Sequence, residues 1–377
     1  MKKGPVIILR MANSCNLNCI YCYDKNNHDT FSKADQYFQG KMEKCILYIK
    51  KIIDGEKGTR IIFHGGEPLL VKASTYEEFI LKLLNIDSEM KFSIQTNGTL
   101  LTEEHIDVFK KYNVQVGISL DGFNEMLNRY RVYANGINSF DTVMKKINLL
   151  KKKKVRFGLI MTISKEVVGH EQELYDFIAK NDLNCNIRPI FACNDMNENV
   201  MTNDEYYTFF TRMFEIWIND QKKVKLRQIS EMYDEFAHVL ETNYKNRTCS
   251  SSGKCFENFI SLDCEGELYS CNRTYNNKIF YYGNIEDITA SELREKRNER
   301  ANRRNQAILE SKCVNCELFK ECRGGCPANA YSLHACDNKS EDYFCEAKLK
   351  IRNYVKTKIE EMNLKIQYEE GKKTREK

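Results

Sequence analysis

Three cysteines near the amino end, Cys15, Cys19 and Cys22 in the run S-C-N-L-N-C-I-Y-C-Y, stand at a spacing that suits an iron–sulfur cluster. They supply only three thiolates, so a four-iron cluster built on them keeps one iron open to a substrate or cofactor. Eight more of the sixteen cysteines fall into two later groups: Cys249, Cys255 and Cys271, then Cys313, Cys316, Cys322, Cys326 and Cys345. Eight thiolates suffice for two fully ligated four-iron clusters. Zinc is the alternative, because all-thiolate sites accept either metal, although no histidine joins the pattern.

The remaining cysteines read differently. Cys45 falls in a helical pattern and Cys185 in a strand, as small buried hydrophobes do. Cys264 lies near a hairpin turn expected at Glu265-Gly266 and is expected to stay unligated. Cys193 follows the sixth strand and is expected to be buried, and Cys336 is left open.

Cysteine-dense motifs of this kind belong to a reducing compartment, where disulfides do not persist. The amino-terminal apolar run is too short for a signal peptide, and no stretch of about 18 apolar residues could span a bilayer, so a cytoplasmic protein is expected. The 58 Lys and Arg nearly balance the 53 Asp and Glu, leaving a formal charge of +5 and no basic stripe with interleaved aromatics. Neither nucleic acid nor membrane is implied as a partner. The lysines at 151–154 and in the G-K-K-T-R-E-K tail read as solvated surface.

These cysteines must be held by a scaffold, and the first half of the chain alternates strand and helix patterns. Short β-branched runs occur at 6–11, 60–63, 92–96, 114–120, 155–162 and 185–191, with helical periodicity between them at 42–53, 102–112, 140–150 and 171–180. Thr102 and Ser139 are candidate helix N-caps. Six such units imply an α/β fold with a parallel sheet that right-handed crossovers curl toward a barrel. Chemistry then gathers at the carboxyl ends of the strands. The triple-cysteine loop follows the first strand, His64-Gly65-Gly66-Glu67-Pro68 the second, Gln95-Thr96-Asn97-Gly98 the third and Ser119-Leu120-Asp121-Gly122 the fourth. His64 itself reads as a neutral histidine packed at a strand end.

C-N-L-N-C-I-Y-C-Y followed by G-G-E-P, T-N-G and S-L-D-G resembles the radical S-adenosylmethionine (SAM) enzymes, over nearly the whole chain. The resemblance implies a partial (β/α)6 TIM-like barrel at 1–235, a helical bridge at 236–248, a SPASM iron–sulfur domain at 249–348, and a terminal helix and charged tail at 349–377. It implies that Cys15, Cys19 and Cys22 hold a [4Fe–4S] cluster whose open iron chelates SAM. Tyr23 would pack beside the adenine, Gly65 and Gly66 would let the backbone approach the methionyl amine, and Glu67 would anchor it. Ser119 and Arg131 match positions that contact ribose or carboxylate. The later cysteines resemble the layout of anaerobic sulfatase-maturating enzymes and ribosomal-peptide maturases. By that likeness Cys249, Cys255, Cys271 and Cys326 hold one auxiliary [4Fe–4S] cluster, and Cys313, Cys316, Cys322 and Cys345 the second. The terminal helix is expected to pack through Leu349, Tyr354 and Ile359.

One departure is informative. In sulfatase-maturating enzymes the residue after the third cysteine of the first auxiliary cluster is a catalytic aspartate, and here it is Asn272. An amide is no general base, so Asp263, Tyr269 or another group would have to substitute for it, or Asn272 only hydrogen-bonds near the cluster. The expected enzyme is therefore an oxidoreductase that modifies a ribosomally made precursor peptide, forming a thioether or carbon–carbon cross-link. Formylglycine formation on a sulfatase is the alternative, and a non-catalytic iron–sulfur electron carrier the third reading. No leader-binding domain is expected before the first strand, so a separate protein, or the barrel and extension themselves, would hold the leader. A flavodoxin- or ferredoxin-type reductant and oxygen sensitivity complete the expectation.

Overall fold

The structure, a computed structural model, describes residues 4–24, 33–190, 197–237, 249–275, 277–334 and 341–375. Cys193 and Cys336 lie outside the described residues. The chain opens with β1 (Val6–Ala12), α1 (Ala34–Ile53), β2 (Arg60–Gly65), α2 (Ala73–Ile86), β3 (Lys91–Thr96), α3 (Glu103–Lys111) and β4 (Gln115–Ser119). It continues with α4 (Phe140–Lys152), β5 (Phe157–Ile163), α5 (Glu171–Lys180), β6 (Asn184–Pro189), α6 (Asn203–Asn219), β7 (Lys225–Leu226) and α7 (Arg227–Ala237). The cysteine-rich part holds α8 (Cys255–Asn258), β8 (Phe259–Leu262), β9 (Glu267–Tyr269), β10 (Tyr281–Asn284), α9 (Ala290–Leu309), α10 (Phe319–Cys322), α11 (Pro327–His334) and α12 (Cys345–Arg375).

One sheet runs β10-β9-β8-β1-β2-β3-β4-β5-β6-β7. Neighbours from β1 to β7 are parallel, as helical crossovers require. The strands are apolar on the helix-covered face, where Leu9, Phe63, Ile94, Ile118 and Met161 are buried. In α1, Phe38, Met42, Cys45, Ile49 and Ile52 recur at helical spacing and close over that face. Thr102 caps α3 by accepting from His105 N. Ser139 does not cap α4; its hydroxyl donates to the Arg131 carbonyl at 2.8 Å. Strand β6 ends at Pro189, and Phe191, the end of the expected run, lies outside the described residues.

The cysteine-rich segment joins the barrel sheet directly. Strand β8 pairs in parallel with β1, Val6 opposite Phe259 through Leu9 opposite Leu262, and turns at Glu265-Gly266 into antiparallel β9. Helix α12 starts at Cys345 and runs to Arg375, into the charged tail. It packs through Ala347, Ile351, Val355 and Ile359, a spacing of four that lays one stripe along the helix. That register turns Leu349 outward, 36 % exposed, contrary to expectation. Among the described residues no helix is long and apolar enough to cross a membrane.

Candidate active site

The triple-cysteine loop is clamped from both sides. On one side Gly66 N donates to Ala12 O and Glu67 N to Ser14 O, each at 2.8 Å. On the other, Asn18 N reaches Val132 O at 2.7 Å and Ile20 N reaches Tyr130 O at 3.0 Å. The two glycines of G-G-E-P are demanded by protein atoms: a Cβ on Gly65, whose φ is +127°, would stand 2.3 Å from Ala12 O, and one on Gly66 2.1 Å from Ser14 O. Close approach is thus to the cysteine loop itself.

Glu67 is buried beneath this junction. Its Oε1 accepts from Leu69 N at 2.9 Å and Thr96 Oγ1 at 2.5 Å, and its Oε2 from Asn97 N at 2.8 Å. Burial raises its pKa, and those three donors oppose the rise. The carboxylate therefore ties the second strand end to the third. From there Asn97 reaches Asn16 Oδ1 at 2.9 Å and Cys15 Sγ at 3.8 Å. Backbone N–H groups of Leu17 and Asp24 also point at the sulfurs of Cys15 and Cys22, at 3.4 Å each.

Burial pushes the pKa of all three thiols up, Cys19 to about 11. Thiolates this deeply buried need counter-charge, which a bound metal cluster supplies. Three thiols with N–H donors aimed at two of them fit an iron–sulfur cluster in donor chemistry. Among the described residues no three His, Cys, Asp or Glu side chains close on one point as they do around a single ion. Thiolates around a four-iron cube stand farther apart than those around one zinc.

Beyond the cysteines, Arg131 is buried, donating from Nη1 to Tyr21 Oη at 2.7 Å, with Asp121 at 3.9 Å. Its Nε is buried without a hydrogen-bond partner among the described residues, as expected of a donor kept for an absent acceptor. Ser119, at the end of β4, accepts from Gln95 Nε2 at 3.0 Å.

A second knot joins the barrel to the extension. Arg10, fully buried on β1, donates to Asp24 at 2.6 Å and to Asn272 Oδ1 at 3.1 Å, and its guanidinium lies 3.7 Å from the centre of the Tyr275 ring. Asn272 in turn donates through Nδ2 to Tyr23 Oη at 2.7 Å and His64 Nδ1 at 3.1 Å. Gly65 N also donates to His64 Nδ1, at 2.9 Å, so the neutral ring carries its proton on Nε2. Burial and the Arg10 charge lower the His64 pKa to about 4.

Tyr23 thus faces the extension through its hydroxyl. Asp263 is taken up by the hairpin turn, accepting from Glu265 N and Glu267 N at 2.9 Å and from Tyr275 Oη at 2.6 Å. Tyr269 packs between the rings of Tyr275 and Tyr281, at 4.8 and 5.1 Å. Arg10, Asp24 and Tyr275 were not anticipated from the sequence. An arginine inside V-I-I-L-R-M-A was the signal available for the first.

The later cysteines sort into two neighbourhoods. Burial raises the pKa of Cys255, with Cys271, Cys249 and Cys326 adding to it. Cys271 is pushed up to about 11 by burial, with Cys326 and Cys249 nearby. Cys345 is likewise raised to about 11 by burial, and it feels Cys322 and Cys313. Cys316 follows Cys313 on one turn, its N–H donating to Cys313 O at 3.2 Å. Between the groups, buried Asp342 accepts from Cys326 N at 2.8 Å while its own carbonyl accepts from Cys345 N at 2.9 Å. Cys264 keeps apart, its thiol donating to Arg10 O at 3.2 Å, and Cys45 and Cys185 are buried.

A parallel barrel with a clamped three-thiol loop at its strand ends defines a class, and the comparisons agree. Residues 9–178 match the family model of the radical SAM superfamily, so the chain carries a radical SAM domain and is an enzyme. Its cofactors are SAM and [4Fe–4S] clusters. The chain is 29% identical over 359 residues to the cysteine-type anaerobic sulfatase-maturating enzyme of Clostridium novyi (strain NT), covering 92% of this chain and 94% of the relative. It is 26% identical over 336 residues to the radical SAM cyclopropyl synthase TigE of Paramaledivibacter caminithermalis, covering 85% of this chain and 67% of the relative. The solved structure of native anSMEcpe with bound AdoMet shares the fold at TM-score 0.80 and 21% identity, covering 96% of this chain and 99% of that one. The same enzyme has also been solved with AdoMet and a peptide, Cp18Cys.

Proposed function

We propose that this enzyme oxidatively modifies a ribosomally made peptide, joining two of its side chains through a thioether or carbon–carbon bond. The observation that carries the reading is the orientation of Asn272: Arg10 holds its carbonyl, so that N–H donors face Tyr23 and His64 where a sulfatase-maturase-type site needs a carboxylate. In this reading Cys15, Cys19 and Cys22 hold the SAM cluster. Cys249, Cys255, Cys271 and Cys326 hold one auxiliary cluster, and Cys313, Cys316, Cys322 and Cys345 the other. The bound cofactors supply a 5′-deoxyadenosyl radical that removes a hydrogen atom from the substrate.

The protein's own contribution is placement. Glu67 locks the G-G-E-P loop against Asn97 and so against the cysteines. Arg131 and Ser119 offer polar contacts to the sugar and carboxylate of SAM, and Tyr23 lies at the seam where cofactor and peptide would meet. His64 keeps its proton on Nε2. A flavodoxin- or ferredoxin-type protein supplies electrons.

Formylglycine formation is the second reading, favoured by the 29% identity to a cysteine-type anaerobic sulfatase-maturating enzyme across nearly both chains. It requires a base other than residue 272. Anaerobic incubation of the enzyme with a short peptide encoded beside its gene, and separately with a sulfatase-motif cysteine peptide, distinguishes the two by mass spectrometry. Loss of two hydrogens with no reaction toward aldehyde-trapping reagents upholds cross-linking. A trappable aldehyde on the cysteine peptide overturns it.

A further inference from the structure

A guanidinium lies buried among the later cysteines. Arg304, on α9, is only 9 % exposed. Its Nη2 donates to Gly324 O at 2.5 Å. Gly324 belongs to C-R-G-G-C, the loop that runs from Cys322 to Cys326, and it adopts φ +79°. A Cβ there would stand 2.9 Å from Ile308 Cδ1 and 3.2 Å from Arg304 Nη2, so glycine lets this carbonyl meet the guanidinium. Arg304 also lines a cleft with Cys249 and Cys255. The arginine therefore touches the loop that links the two cysteine groups and shares a cavity with the first of them.

The charges around it are consistent with that position. Burial lowers the Arg304 pKa, while Cys326 of the first group, Cys313 and Cys322 of the second, and Asp342 all act to raise it. Arg273 provides a contrast: it approaches Cys326 Sγ at 3.8 Å and feels Cys326, Cys271 and Cys249, all of the first group.

Resting on the ligand sets proposed above, we propose that Arg304 is a positioning residue for electron flow, a fixed positive charge set between the two auxiliary clusters that raises the reduction potential of both. A four-iron cluster gains one unit of negative charge when it takes up one electron. A buried cation nearby stabilises that reduced form in a medium of low dielectric. One cation shared by two clusters also offsets their mutual repulsion when both are reduced.

The test uses the full-length chain with Cys15, Cys19 and Cys22 replaced by Ala, reconstituted anaerobically and reduced with dithionite in a potentiometric titration followed by electron paramagnetic resonance. Arg304→Gln should lower the midpoint potential of both auxiliary clusters at unchanged iron content. Arg304→Lys should restore most of the shift, and Arg273→Gln should move one cluster only. Unchanged potentials in an iron-replete Arg304→Gln protein, or a shift confined to one cluster, would overturn the proposal. If Arg304→Gln does not retain its iron, Arg304→Lys decides: potentials near the parent uphold the role of charge, and a fall of both refutes it. A parent protein that binds no iron overturns the ligand sets, and this proposal with them.

Discussion

Arg10 Nη1 meets Asn272 Oδ1 at 3.1 Å, and this contact between the first barrel strand and the extension decides which way the amide faces. With the oxygen held, Nδ2 is directed at Tyr23 and His64. The protein thus presents a donor at the point where a carboxylate would be an acceptor.

Asn272→Asp tests that arrangement. The new carboxylate would pair with Arg10 and oppose the lone pair on His64 Nδ1, so the ring would have to take up a proton or turn. We expect peptide turnover to fall about tenfold, equivalent to about 1.4 kcal/mol in the barrier, with no aldehyde product. Single-turnover kinetics with mass analysis of the peptide checks both parts.

Glu67→Gln replaces an acceptor of three hydrogen bonds with a group that brings its own N–H donors among them. The expected cost is about 1–3 kcal/mol, together with loss of roughly a third of the bound iron, the share of one cluster in three. Anaerobic thermal melting and iron analysis on the same sample report the two effects.

At Gly66 the prediction is steric. A methyl group 2.1 Å from Ser14 O must push the G-G-E-P loop away from the cysteine loop, because both contacting atoms are backbone-held. Gly66→Ala is expected to abolish SAM cleavage to 5′-deoxyadenosine while leaving the signals of the auxiliary clusters in place, as spectroscopy of the purified variant would reveal.

His64 gives the molecule a pH dependence. Its folded pKa, about 4, lies below the ordinary 6.5, so the unfolded chain binds the proton more readily and stability falls as pH drops from 6.5 toward 4. Between pH 7.5 and 5 this contributes a loss of about 2 kcal/mol. Denaturant unfolding of His64→Gln across that range should show a correspondingly flatter profile than the parent protein.

Much of this could be read in advance because it depends on local spacing. Alternation of β-branched runs with helical periodicity specified six parallel strands, and each motif fell at a strand end, where the topology sends it. Thr102 could be read as a cap because capping needs only a hydroxyl three residues before an N–H. Ser139 could not, since its hydroxyl turns back to the Arg131 carbonyl, eight residues earlier in the same β4–α4 connection. Leu349 was misplaced because helical periodicity leaves open which stripe faces inward until α6 and α7 pack against α12.

The sequence by itself determined the chemistry on offer: three thiols at a cluster spacing, eight more in two later groups, and an amide at 272. These are properties of residue type and order. Only the tertiary structure decided how those residues act on one another. Joining β8 to β1 brings residues more than 250 positions apart in sequence, Arg10 and Asn272, into one hydrogen bond. The same folding sets Arg304 against the loop between Cys322 and Cys326. Charges and donors act over a few ångströms, and a distance in space across so long a separation in sequence is fixed by packing alone.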